Sequence, residues 1–171
     1  SRQGGWGKIA AAASTQYAID RWRPKLLVNL GTCGGFAGEI TQGEIILVER
    51  TAVYDILEQM GDADEHLRHY TTHIDLSWLG EELPQPVVRA TLVSGDRDLI
   101  PAQIAELKSR YGAKAGDWET AAIAWVAGRN KVRCLVLRGV SDLVDEMGSP
   151  AYTDGAYFER AARDVMQELV G

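Results

Sequence analysis

Apolar positions along the chain fall into short blocks separated by glycine and polar runs, and the spacing inside each block predicts what it becomes. Lys8 to Arg21 is alanine-rich, lacks a breaker and stops short of Pro24, which predicts a helix of about four turns. Lys25 to Leu30 is a short apolar run suited to a buried strand, and Gly31-Thr32-Cys33-Gly34-Gly35 reads as a glycine loop after it. Glu44 to Thr51, Val87 to Val93 and Val132 to Arg138 predict further strands, and Tyr111 to Ala115 a short one. Pro101 to Tyr111 and Glu119 to Asn130 read as helices, and the amphipathic stretch Asp154 to Val170 as a last one. Strands alternating with helices predict an α/β layer fold with a largely parallel or mixed sheet. Tyr54 to Leu83 breaks the pattern: it is polar and acidic, carries all three histidines, sustains neither period, and is expected to run over one end of the sheet.

Ligands of open α/β sheets sit beyond the carboxyl ends of the strands. Gly31 to Gly35, Ser94-Gly95-Asp96, Asp117-Trp118-Glu119 and Arg138 to Asp142 are therefore expected to converge on one cleft. Asp142 follows a buried run with Ser141 and Arg138 close by. That is a catalytic setting, and equally the setting of a helix N-cap or of a salt bridge with Arg138. Glu119 opens an apolar helix, where an acid commonly complements the helix dipole, and Asp96 fits ordinary turn chemistry.

The 171 residues, 46% of them hydrophobic, suit one domain spanning 1–171. Eighteen Lys and Arg against 24 Asp and Glu give a net charge of −6, so no basic field exists to attract nucleic acid or an anionic membrane. No apolar run approaches the roughly 20 residues of a membrane helix, and no signal-peptide pattern opens the chain. Cys33 and Cys134 lie far apart in apolar surroundings, which suits free thiols in a reducing compartment, read as the cytoplasm. Ser1 to Gly7 is a glycine-rich loop with almost no chain before it, and a preceding segment is expected upstream.

Several motifs fail on context. Gly5-Trp6-Gly7-Lys8-Ile9-Ala10 has the letters of a dinucleotide fingerprint without the strand that must precede it, and Ile9 stands where a P-loop needs Ser or Thr. His66, His69 and His73 would share a face if helical, yet no H-E-x-x-H or nearby cysteine supports a metal, and none is expected. Cys33 could serve as a nucleophile, or simply as a small buried residue in a tight loop. No cofactor is implied.

Taken together, Gly7-Lys8 before the alanine-rich helix, Asn29-Leu30-Gly31-Thr32-Cys33-Gly34-Gly35, Gln42-Gly43-Glu44-Ile45-Ile46, Ser94-Gly95-Asp96, Asp117-Trp118-Glu119-Thr120-Ala121-Ala122 and Arg138-Gly139-Val140-Ser141-Asp142 resemble the nucleoside phosphorylase and nucleosidase family over almost the whole chain. The resemblance implies a three-layer α/β/α fold with a central mixed sheet, shortened at its N-terminus relative to the family, whose nucleosidases carry a water-activating glutamate on the strands before the Gly5–Gly7 loop.

By the same resemblance, Glu119 binds the ribose hydroxyls and Trp118, in place of the usual Met, lines the ribose. Thr32, Cys33 and Gly34 lie by sugar and base, while Leu99 and Ile100 contact the base with aliphatic surface only. Asp142 donates a proton toward purine N7, with Ser141 orienting it and Arg138 beside it. Such general-acid help is worth about 10² to 10⁴ in rate. Asn29 stands where the hexameric phosphorylases place a phosphate-binding Arg, so hydrolysis of a methylthioadenosine or adenosylhomocysteine type of nucleoside is the leading expectation. Phosphate-dependent phosphorolysis is the second, and a non-catalytic nucleoside-binding protein the third. A homo-oligomer, most simply a dimer, is expected because the family completes its pocket with a neighbour's excursion.

Overall fold

The alanine-rich stretch forms helix α1, Gly7–Trp22, which buries one narrow stripe: Gly7, Ala11, Thr15 and Ile19. Small residues on that stripe let α1 lie against helix α4, Thr120–Arg129, which is buried at Thr120, Ala121, Ala122, Ile123, Ala124, Val126 and Ala127. Helix α1 stops at Arg23, whose left-handed backbone (φ 44°) turns its N–H onto the Ile19 carbonyl at 2.8 Å. The computed structural model describes residues 6–56, 58–80, 83–145 and 147–170. The opening Ser1 to Gly5, and with it the first glycine of Gly5-Trp6-Gly7, lies outside the described residues.

The strands are β1 (Leu26–Phe36), β2 (Ile45–Val53), β3 (Thr71–His73), β4 (Val88–Ser94), β5 (Ala113–Asp117) and β6 (Arg133–Val144). The remaining helices are α2 (Ala63–His69), α3 (Ile104–Tyr111) and α5 (Gly155–Val170). The sheet is mixed, in the order β3-β2-β4-β5-β1-β6. Strand β1 runs parallel to β6, and β4 runs parallel to both β2 and β5, whereas β5 meets β1 antiparallel. An antiparallel pairing of Ile45–Leu47 with Leu137–Gly139 joins β2 to β6 and closes the sheet on itself, leaving β3 as a flange on β2. One face carries the core of Ile46, Val48, Leu92, Val136 and Val140 under α1 and α4. The other carries Phe36, Val93, Leu107, Tyr111 and Val144, with α3. Helix α5 packs on β6 and β1.

Three elements differ from expectation. Gly31 to Gly35 is not a loop: β1 continues through it to Phe36. Its glycines serve close approach, as a Cβ on Gly35 would lie 2.7 Å from the side chains of both Ile40 and Val140. Likewise β6 runs past Arg138 to Val144, so Asp142 lies within the strand and caps no helix. The register between these strands jumps from Cys33↔Val140 to Gly34↔Asp142, and the extra residue in the bulge is Ser141. The excursion is also more ordered than its polarity suggests. Asp62 accepts from the N–H groups of Asp64 and Glu65 to start α2, and β3 then pairs with β2. The histidines part accordingly, His66 and His69 to α2 and His73 to β3. No helix among the described residues is long and apolar enough to cross a membrane.

Candidate active site

The ends of β4 and β5, the start of α4 and strand β6 are tied together by one buried carboxylate. Asp117, last residue of β5, accepts from the Ser94 hydroxyl (2.6 Å), from the Glu119 and Thr120 N–H groups (3.2 and 3.1 Å) and from the Thr120 hydroxyl. It also pairs with Arg138, Nε to Oδ2 at 2.8 Å, with both side chains buried. The same guanidinium donates to Asn29 Oδ1 (2.5 Å) and to the Leu137 carbonyl (3.1 Å). Arg138 is thus spent on Asp117 and Asn29, and the expected alternative of a bridge to Asp142 is not formed. Its place is in the scaffold under the site rather than beside the acid. Asp117 also accepts the first amides of α4, while Glu119, expected at the helix start as a partner of its dipole, makes no capping hydrogen bond there.

Freed of that task, Glu119 faces the start of α1. Its Oε1 accepts from the Gly7 N–H at 2.9 Å, and Asp96 Oδ1 accepts from the next one, Lys8 N–H, at 2.7 Å. Two carboxylates from other strand ends therefore satisfy the first amides of α1, where the helix dipole favours negative charge. Gly7 is required here: its φ is +84°, and a Cβ would come within 2.9 Å of Asp96 Oδ1. Lys8 bridges Asp55 (2.5 Å) and Asp96 (3.3 Å), fastening the entry of the excursion to the same corner. Burial raises the pKa of Glu119 above the ordinary carboxylate value, assisted by the Asp117 charge and opposed by the Gly7 hydrogen bond and Arg138.

Asp142 is held by hydroxyls. Ser141 Oγ lies 2.7 Å from Oδ1 and 3.2 Å from the Cys33 carbonyl, and the Ser149 hydroxyl donates to Oδ2. All three side chains are buried. Gly34 opens toward this carboxyl group, since a Cβ there would sit 3.8 Å from Asp142 Oδ2 and 3.2 Å from Leu99 Cδ1. Leu99 is buried, while Ile100 and Trp118 are more than one-third exposed. Thr32 pairs with Gly139 in the ladder. Burial pushes the Cys33 thiol up, and the Asp117 and Asp142 charges push it the same way, so the nucleophile reading lacks a thiolate.

The structure thus brings Gly7, Ser94, Asp96, Asp117, Glu119 and Arg138 into one network, with Ser141 and Asp142 on the neighbouring stretch of β6 and Ser149 reaching Asp142 from the turn that follows it. Sequence reasoning missed Ser149, the hub role of Asp117 and the Lys8–Asp55 tie. Only Asp117 left a usable signal, an acid with a helix-starting Thr three positions on. The histidines lie elsewhere: His66 meets Glu58 at 3.1 Å, and His69 meets Arg129 beside Trp125. A cavity of about 250 Å³ between Tyr54, Leu67 and Tyr111 is likewise separate from this network.

A central mixed sheet flanked by helices is the fold the resemblance anticipated, and the chain belongs to the phosphorylase superfamily, whose family model matches residues 2–170. Within it the chain is similar to 5'-methylthioadenosine/S-adenosylhomocysteine nucleosidases. That of Maridesulfovibrio salexigens is 28% identical over 178 residues, taking in 96% of this chain and 77% of the relative. That of Staphylococcus saprophyticus is 29% identical, covering 94% of this chain and 74% of its own. In fold it is similar to the nucleosidase of S. pneumoniae in complex with a transition-state inhibitor (TM-score 0.72, 24% identity, 97% of this chain and 76% of that one). It is also similar in fold to the futalosine hydrolase of Helicobacter pylori (TM-score 0.77, 18% identity, 97% and 75%).

Proposed function

We propose that this protein hydrolyses the N-glycosidic bond of a purine nucleoside, with methylthioadenosine or adenosylhomocysteine types as substrates. The observation that carries the reading is the contrast between two carboxyl groups. Glu119 is only partly buried, with one oxygen held by Gly7 N–H, whereas Asp142 is buried between Ser141 and Ser149. Glu119 is suited to accept the ribose hydroxyls, which positions the sugar and favours the positive charge that develops at C1′. Asp142 is suited to donate a proton to purine N7. As the C1′–N9 bond breaks, its electron pair enters a ring already accepting that proton; water bonds to C1′ and loses a proton to solvent, from which Asp142 regains its own. Thr32, Cys33, Gly34 and Trp118 flank the sugar in this reading, and Leu99 and Ile100 meet the base.

Water is favoured over phosphate because, among the described residues, the two cations of this network are already matched to carboxylates, Arg138 to Asp117 and Lys8 to Asp55 and Asp96. A phosphate dianion would have to break one of those pairs. The chain acts as a single domain over 1–171, in the cytoplasm, as a homo-oligomer in which Trp78 of the excursion anchors the contact. Light scattering that finds a monomer at micromolar concentration removes the last point.

The test of the activity is release of adenine from methylthioadenosine in phosphate-free buffer. Release that requires phosphate assigns a phosphorylase instead, and binding without release assigns a nucleoside-binding protein.

A further inference from the structure

We propose that Ser149 is a positioning residue for Asp142: its hydroxyl makes Oδ2 the accepting oxygen of that carboxyl group and so assigns the transferable proton to Oδ1, beside Ser141. The inference rests on the glycosidic-cleavage reading and adds to it the address of the proton.

Hydroxyl bookkeeping leads there. Ser149 is 7% exposed and opens the short turn Pro150–Tyr152, where its oxygen accepts the Ala151 N–H at 3.1 Å. A serine has one proton to give, and that of Ser149 goes to Asp142 Oδ2. Ser141 also has one proton but faces two acceptors, the Cys33 carbonyl at 3.2 Å and Asp142 Oδ1 at 2.7 Å. With a proton on Oδ1, the carboxylic acid donates to Ser141, Ser141 donates to the Cys33 carbonyl, and every group is satisfied. When the proton leaves for N7, the Oδ1–H electron pair stays on the carboxylate. Ser141 then swings its hydroxyl to Oδ1, so both carboxylate oxygens have a donor. The two serines thereby support the acid before transfer and its conjugate base afterwards.

The turn that carries Ser149 has a second anchor. Tyr152 donates its hydroxyl to the Leu99 carbonyl at 3.0 Å, within the segment assigned to the base. Among the described residues, the Cys33 thiol from β1 and the Tyr152 phenol from the same turn also feel the Asp142 charge. Neither is placed to take over the donation to Oδ2, which leaves Ser149 as the group to test.

The experiment compares Ser149→Ala and Ser149→Thr with the unaltered protein on two substrates. One is methylthioadenosine, and the other is the nitrophenyl glycoside of the same methylthioribose, whose leaving group departs without protonation. Ser149→Ala is expected to lose about ten- to hundredfold in kcat on the purine substrate, the effect of one hydrogen bond to a charged group, with little change in KM. Hydrolysis of the nitrophenyl glycoside is expected to stay within about twofold, and Ser149→Thr to restore most of the purine rate. Equal losses on both substrates would make Ser149 a fold residue, and no loss on either would make its hydroxyl incidental; each overturns the proposal. Should Ser149→Ala fail to fold, Ser149→Cys keeps the volume with a weak donor and is expected to show the same selective loss. If the unaltered protein cleaves neither substrate, the cleavage reading falls, and this proposal with it, a result distinct from the other two.

Discussion

Arg138 and Asp142 share strand β6 yet belong to different networks: the guanidinium reaches Asp117 at 2.8 Å across the sheet, and the carboxyl group is left to the hydroxyls of Ser141 and Ser149. An arginine bound directly to Asp142 would take the carboxyl oxygens that Ser141 and Ser149 now reach. The separation leaves those oxygens to the serines, and the bulge at Ser141, where β6 shifts its register against β1, lies between the two residues.

Replacing Arg138 with Met is expected to destabilise the fold by about 3 to 5 kcal/mol, because it strands a buried carboxylate. Chemical denaturation measures the loss. A double variant that also changes Asp117→Asn should lose less than the sum of the two single changes.

Glu119→Gln is expected to weaken ribonucleosides more than 2′-deoxynucleosides in calorimetric titration, since one fewer hydroxyl depends on the charge. Equal weakening would reduce Glu119 to a helix-start residue. Its effect on stability has the opposite sign. A carboxyl group whose pKa is raised on folding contributes stability below its ordinary value of 4.5 and loses it as pH climbs through the raised value. At neutral pH the variant should therefore melt at or above the temperature of the unaltered protein, and the gap should close toward pH 4.

Asp142→Asn keeps the shape and removes the proton donor. Purine release is expected to fall by about two to four orders of magnitude with folding intact, while a nucleoside whose base leaves without protonation is spared. Steady-state rates on the two substrates decide it.

Both thiols should be silent in the native protein. Burial raises Cys134 to about 11 and pushes Cys33 up as well, so little thiolate exists at neutral pH and access is closed. A colorimetric thiol reagent is expected to count none until denaturant is added; rapid native labelling of Cys33 would reopen its candidacy as a nucleophile.

Element types were legible where periodicity was strong. The alanine-rich run became α1, Glu119 to Asn130 became α4 within a residue at each end, and each apolar run nucleated a strand. The extents of β1 and β6 were not, because a glycine run reads as a turn from sequence alone. Only the proximity of Ile40 and Val140 reveals that Gly35 is small to let neighbours in. The strand ends that gather at the site could be named in advance, but the partner of each charge could not. Arg138 had Asp142 near in sequence and Asp117 near in space. Ser149 gave no signal, since nothing local distinguishes a loop serine whose hydroxyl reaches back to a strand.

The corner where Gly7 meets Glu119 joins residues 112 positions apart, and Ser141 reaches Cys33 over 108. No single helix or strand contains even half of this site, so it comes into existence only after long loops have closed, late in folding and at their entropic cost. A ligand that bridges Glu119 and Asp142 would then bind only the assembled chain, and its binding free energy would add to the stability of the whole protein rather than to any one element. Under such a ligand, hydrogen exchange should slow in the core of the sheet as much as at the strand ends that touch it.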